Sequence, residues 1–380
     1  MAWRVPLADL NYGPEEFEAV KKVLESKWLT MGEVTQTFES EFANLTGSKH
    51  AIAISNATQA LHLACLALGI GAGDEVIVPS LSFVATANAV LYCGAEVRFA
   101  EVIGEDDLTI APAAIEKMIT PKTKAIIVMH YAGYPCQMAE IKALADQHHL
   151  PIIEDAAHAP GASLEGKAMG AWGDVGCFSF FSNKNLPTGE GGMVVTDQDE
   201  LAEKIRLQRS HGMTSLTYDR HKGHAFSYDV VELGYNYRID EIRSALGLVQ
   251  LKKLSALNAE RERLTHRYWR ALSDLGVELP FKQTEKGTPS YHIFPMLLAQ
   301  NFNRVGFMKG LRDAGVQSSI HYRPIHTFTY YKNKYGQLSL PVTEEIAQRE
   351  VTLPLFPTMT DTQQALVIEA LGETLIKLMD

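Results

Sequence analysis

The sequence predicts an α/β fold: a largely parallel sheet covered by helices on both faces, followed by a smaller α+β unit. Three observations lead there. Short β-rich runs alternate with helical segments from about residue 45 to about residue 200. An unbroken helical stretch follows Asp240, and beyond it the pattern changes again. At 380 residues the chain exceeds the size at which one hydrophobic core keeps growing, so two cores are expected. We place a large unit at 1–245, including an N-terminal segment, and a small C-terminal unit at 246–380.

The strand candidates, in chain order, are HAIAIS, EVIVPS, EVRFAEV, AIIVMHY, PIIEDA, GCFSFF and GGMVVT. Between the first two, TQALHLACLALG is apolar nearly all round, which predicts a buried helix. Met138, Ile141, Leu144 and Ala145 give a later segment one helical face. EIRSALGLVQLKKLSALNAERERLTHRYWRAL keeps helical spacing for roughly nine turns, enough to bridge the two units. After it, YHIFPMLLA and SSIHYRP read as strands. Val367, Leu371, Leu375 and Leu378 stripe a last helix, with Thr360 as cap and Gln363 completing a capping box. Sheets of this kind bind ligands at the carboxyl ends of their strands, so chemistry is sought there.

Composition narrows the function classes. With 46% hydrophobic and 21% charged residues the chain reads as an ordinary globular protein. A formal net charge of -10 and no dense Lys/Arg stripe argue against nucleic acid as partner. Cys65, Cys93, Cys136 and Cys177 are far apart and sit mostly in apolar runs, which predicts reduced core thiols. The 13 histidines show no metal-ligand spacing: His148 and His149 sit at a helix end, and His158, His321 and His326 stand apart. GEGG precedes a strand, whereas a dinucleotide fingerprint opens a helix, so a nicotinamide site is rejected. MAWRVPLADL lacks a basic region followed by an apolar stretch, and no run reaches the roughly 18 apolar residues of a membrane span. These two features predict a cytoplasmic protein without membrane contact, in which the glycosylation patterns at Asn44 and Asn56 are accidental.

Four windows carry candidate chemistry. In GCFSFFSNKNLPTGEGGMVVT, Lys184 follows a strand containing Phe178, Phe180 and Phe181. Aromatic neighbours desolvate an ammonium, lower its pKa and make the amine a nucleophile toward an aldehyde; the other reading is a surface lysine opening a loop. In PIIEDAAHA, an apolar strand delivers Glu154 and Asp155 to its end, followed by His158. A carboxylate there pairs with a protonated pyridine nitrogen, or it caps the next helix. In AISNATQALHLA, Asn56, Ala57 and Thr58 open the buried helix, where a phosphate or an ordinary cap would sit. In PSLSFVATANAV, Phe83 offers a flat surface for an aromatic cofactor, or it is core.

Together with W-L-T-M-G near residue 28, HYAG, GYNYRIDEIRSALG and IHYRPIHTFTYY, these windows occur in an order that resembles the DegT/StrS-type sugar aminotransferases. That family has the fold-type I architecture of pyridoxal 5'-phosphate (PLP) enzymes, and the likeness runs along nearly the whole chain. It implies that Lys184 forms a Schiff base with PLP, Asp155 holds the pyridine nitrogen, His158 stands near the cofactor hydroxyl and Phe83 stacks on the ring. It further implies phosphate contacts from Ala57, Thr58 and Ser179, with Asn236 reaching in from the other subunit of a homodimer. Thr30, His321 and His326 resemble positions lining a sugar pocket, or they serve the fold. A subgroup of the family replaces the lysine with histidine and dehydrates or deoxygenates; Lys184 implies transamination instead. The implied reaction moves an amino group from glutamate or glutamine to a keto sugar on a nucleotide carrier. Carbon 4 is preferred from the overall likeness, particularly HGMTSLTYDRHKGHAFSYDVVELGYNYRIDEI, with a 3-keto sugar or a keto-cyclitol as the alternative. A PLP-binding regulatory protein without turnover is the rival of another class.

Overall fold

All seven apolar runs become strands of one sheet: β1 (His50–Ile54), β2 (Glu75–Pro79), β3 (Glu96–Ala100), β4 (Thr123–Met129), β5 (Ile152–Asp155), β6 (Val175–Ser179) and β7 (Gly192–Thr196). The computed structural model describes residues 3–214, 227–284 and 287–379. The sheet order is β1-β7-β6-β5-β4-β2-β3. The ladders linking β3, β2, β4, β5 and β6 are parallel, whereas β7 runs antiparallel to both β6 and β1. β7 reverses because the loop bearing Lys184 folds straight back from the end of β6 without a crossover helix. The carboxyl ends of β1, β2, β5 and β6 therefore share one edge, and the windows singled out above follow those ends.

Side-chain alternation divides the core by sheet face. Ile52, Ile54, Val76, Val78, Ile153 and Cys177 pack on one side with helix α1 (Ala57–Ala67). Ala51, Ala53, Ile77, Ile152, Phe178 and Met193 pack on the other with Phe38 and Phe42. α1 is buried from Ala60 to Cys65, as its apolar circumference predicts. The long helix, α2 (Glu241–Leu272), runs from this core to a third cluster, where Leu264, Tyr268, Trp269 and Leu272 meet Phe294, Val351 and Leu371. The C-terminal unit carries one antiparallel pair, β8 (Phe294–Leu297) with β9 (Glu350–Leu353). Its last helix, α3 (Asp361–Met379), has the expected capping box: Gln363 N donates to Thr360 Oγ1 at 3.2 Å, and Thr360 N to Gln363 Oε1 at 2.9 Å. Val367, Leu371 and Leu375 are buried; Leu378 is exposed and ends the stripe.

SSIHYRP is not a strand. It makes one bridge, Ser319 to Thr352, and the His321 N–H donates to the Glu350 carboxylate at 2.7 Å, so a side chain has taken the place of a ladder partner. The chain start also departs from its own half: Val5 pairs with Val316 and is fully buried in the C-terminal core.

Glu241 joins the helical layer together. From the first turn of α2 its buried carboxylate accepts from Gly32 N (2.8 Å), Val34 N (3.0 Å) and Thr35 N (2.9 Å), the free donors that begin helix Glu33–Thr46. Glu241→Ala is expected to destabilise the protein by about 2–4 kcal/mol, because it leaves those amides buried without an acceptor. Glu241→Gln is expected to cost less than half of that, read from denaturant midpoints at constant m-value.

Candidate active site

At the shared edge the strand ends enclose a cavity of about 750 Å³, and Ala57, Thr58, Phe83, Asp155, His158, Ser179, Lys184 and His321 all line it. Alternation along β5 separates its two carboxylates. Glu154 turns away and is consumed by the fold, accepting from Gly173 N at 2.6 Å, Gly170 N at 2.8 Å and His130 Nε2 at 2.9 Å. Asp155 turns inward. Its Oδ2 accepts from Thr86 Oγ1 at 2.7 Å, and its Oδ1 accepts from Ala157 N at 3.2 Å. Burial pushes its pKa up, against the pull of Thr86 and of the Lys184 charge. A carboxylate in that position gains from a cation placed beside it.

Lys184 has a part-exposed stem, but its amine lies inside, where desolvation pulls its pKa down from 10.5 to about 7 against the opposing charge of Asp155. Among the described residues no ion pair closes between the two. The amine instead lies 3.4 Å from His292 Nε2. His158, its pKa lowered far below the usual range by burial, accepts from Ala132 N through Nδ1 at 3.2 Å. Its Nε2 therefore carries the proton and donates to Tyr322 Oη at 2.9 Å, which leaves the phenol hydrogen for the cavity. His321 is held neutral as well, its pKa lowered to about 4, with Nδ1 2.8 Å from Thr352 Oγ1.

At the opposite wall, α1 begins with Asn56 as cap, its side chain accepting from Gln59 N at 2.9 Å. The N–H groups of Ala57 and Thr58 have no partner among the described residues, and they stand at the positive helix end beside the hydroxyls of Thr58 and Ser179. Gly192 makes this approach feasible, since a Cβ there would lie 2.7 Å from the Asn56 carbonyl carbon. The last glycine of the GEGG run thus serves close packing under the helix start. Phe83 is 56% exposed at the cavity mouth and does not belong to the core.

Three expected residues lie elsewhere. His326 is buried outside the cavity with both nitrogens engaged, Nδ1 with Ser80 Oγ at 2.7 Å and Nε2 with Glu344 Oε1 at 3.1 Å, so it ties β2 to the C-terminal unit. Thr30 and Asn236 are exposed, bridged to Asp240 and Ser210. Conversely, Thr86, Tyr322 and His292 contact the site residues without standing out in the sequence. Thr86 lies one turn from Phe83 in a quoted window, and Tyr322 follows His321; His292 carried no signal beyond its place in a strand-like run.

A family model matches residues 11–372. The chain belongs to the DegT/DnrJ/EryC1/StrS aminotransferase family. It is accordingly a PLP-dependent aminotransferase of fold type I. Among solved structures it is similar to Helicobacter pylori PseC, an aminotransferase involved in the biosynthesis of pseudoaminic acid. The two share 32% identity over 99% of this chain and 100% of that one, with a TM-score of 0.91. It is similar also to S. venezuelae DesV in complex with a ketimine intermediate (34% identity, 99% of each chain, TM-score 0.90). Spr1654 of Streptococcus pneumoniae in its PLP form shares 26% identity over 100% of this chain and 99% of that one, with a TM-score of 0.92. Part of the long motif that suggested carbon 4, residues 215–226, lies outside the described residues. Among the described residues no helix is long and apolar enough to cross a membrane.

The Lys184 pKa sets a pH dependence. It lies below its unfolded value, so between about 7 and 10.5 the unfolded chain binds the extra proton and stability rises with pH. The full cost of burying the ammonium applies below about 7. Cofactor-free Lys184→Met is therefore expected to be more stable than the parent at neutral pH, by roughly 2–4 kcal/mol. The gap should close toward pH 10.5, as followed by urea denaturation at several pH values.

Proposed function

We propose that this enzyme transfers an amino group from glutamate or glutamine to a keto sugar carried on a nucleotide, with carbon 4 as the preferred acceptor. The observation that carries the reading is one cavity holding an amine tuned to about 7 and a buried carboxylate, with a helix start at the far wall. Similarity to PseC, involved in the biosynthesis of pseudoaminic acid, and to the sugar aminotransferase CalS13 from Micromonospora echinospora supports the acceptor class. A volume of about 750 Å³ is within the usual range for a cofactor or small-molecule site.

The residues fit PLP. The uncapped amides of Ala57 and Thr58 with Ser179 suit a phosphate, Phe83 suits a ring face, and Asp155 suits a ring cation whose charge would offset its own burial. When bound, PLP supplies an aldehyde and an electron-withdrawing ring. Lys184 holds and moves a proton at Nζ, and an amine half-protonated near neutrality does this in both directions. His158 fixes Tyr322 so that its phenol donates into the cavity. His321 is a substrate-facing group in this reading, and residues 1–245 form the cofactor-binding unit in a cytoplasmic protein.

The site is shared between two copies of the chain. Asn236 and Thr30 are exposed, near the exposed apolar Val230, Val231 and Leu233 for the former and Leu29 for the latter, as surfaces meeting a second subunit would be. Lys184→Ala should abolish the borohydride-reduced covalent adduct with PLP while far-ultraviolet circular dichroism stays unchanged; an adduct surviving in that variant rejects the lysine assignment. Asn236→Ala should weaken PLP affinity about tenfold, the scale of one lost charge-assisted hydrogen bond. Mixing Lys184→Ala with Asn236→Ala should regenerate tight-binding sites in the hybrid dimers. Single-turnover assay of the amine-loaded enzyme against keto-sugar nucleotides and keto-cyclitols names the acceptor, and reaction only with the cyclitols would displace the sugar reading.

A further inference from the structure

Behind the reactive lysine a chain of hydrogen bonds begins at a group whose polarity is fixed. The Pro160 carbonyl only accepts, and Asn258 Nδ2 donates to it at 3.0 Å. The amide oxygen of Asn258 is therefore turned to Asn185, whose Nδ2 donates to it at 2.8 Å and to the Ser290 carbonyl at 2.6 Å. With its nitrogen committed, Asn185 presents its oxygen to His292 Nδ1 at 2.8 Å. An oxygen there requires the proton on Nδ1. His292 is buried, and burial together with His158, Lys184, Arg261 and His321 keeps its ring neutral. A neutral ring protonated at Nδ1 has its lone pair on Nε2, the atom that faces Lys184 Nζ.

We propose that His292 is a positioning residue for Lys184: it accepts an N–H of the amine through Nε2 and so leaves the amine's lone pair free for the reacting carbon, with Asn258 and Asn185 choosing the tautomer. A neutral amine has two N–H bonds and one lone pair. A donor in the place of Nε2 would occupy that lone pair and disable the base, whereas an acceptor takes only an N–H. The arrangement deepens the function proposed above and rests on Lys184 as the reacting amine.

The groups facing Lys184 are Asp155 from β5, His158 beyond it, His292 before β8, and His321 with Tyr322 from the segment after residue 316; Arg261 of α2 lies behind His292. An acceptor favours the ammonium over the amine, so its removal lowers the pH at which Lys184 becomes a free base. In the PLP-free protein, the rate of covalent capture of added PLP should follow an inflection near 7. His292→Leu should move that inflection down by about one unit, tenfold in the acid constant. His292→Gln, whose amide oxygen also accepts, should return it close to the parent. Nitrogen-15 spectra of the parent should show His292 protonated at Nδ1 and bare at Nε2. A protonated Nε2, or one inflection shared by the parent and His292→Leu, overturns the proposal. Should the leucine variant not fold, the spectra and an inflection in His292→Gln far from the parent's decide it in the same way. An adduct that persists in Lys184→Ala would instead mark failure of the lysine assignment itself.

Discussion

The cost of keeping an amine and a carboxylate in one low-dielectric cavity without letting them pair is the constraint from which the rest of this site follows. A direct ion pair would satisfy both and leave neither available. The fold provides each with a separate, neutral partner: Thr86 and the Ala157 amide for Asp155, and His292 for Lys184. Three histidines surround the amine, and burial keeps all of them below their ordinary pKa. A cation at any of them would repel the ammonium and drive the amine pKa further down. With the three rings neutral, the amine is set near 7 by desolvation against the charge of Asp155.

The architecture explains how such a set is assembled. Parallel strands that end at one edge bring residues from 55–58, 79–86, 155–158 and 179–184 within one cavity, although they are spread over more than a hundred positions. The reversal of β7 matters as much as the parallel ladders. It brings Gly192 opposite both Ile54 and Ser179, so the start of α1 and the lysine loop are adjacent by register.

Much of this was legible in the sequence. The seven strands were, because each is a short apolar run bounded by polar or turn residues; Lys184 and the Glu154–Asp155 pair stood out as polar groups at the ends of such runs, and the resemblance to the family alone gave Lys184 and Asp155 their roles. Glu154 and Asp155 could not be told apart, since alternation says that they face opposite sides but not which side is the cavity. SSIHYRP has the composition of a strand, but the His321 N–H in it donates to the side chain of Glu350, distant in the chain. The resemblance left His326 as a pocket position or a residue of the fold, and its partners Ser80 and Glu344, which place it in the fold, are invisible to local pattern. His292, Asn185 and Asn258 come from three segments with no common period, so only the folded chain discloses that they form one path.

That path also shows what the long helix does. Asn258 and Arg261 are three residues apart, which places them one above the other on one face of α2. Asn258 is tied to Pro160 and Asn185 in the sheet-bearing part, while Arg261 donates to the carbonyls of His292 and Leu355 at 3.1 and 3.0 Å in the C-terminal part. A single turn of helix thus fixes the segment carrying His292 against the loop carrying Lys184. A shift of one part against the other would change the distance between Nε2 and Nζ. The setting of the amine is therefore a property of how the two parts are joined, and not of the lysine loop alone.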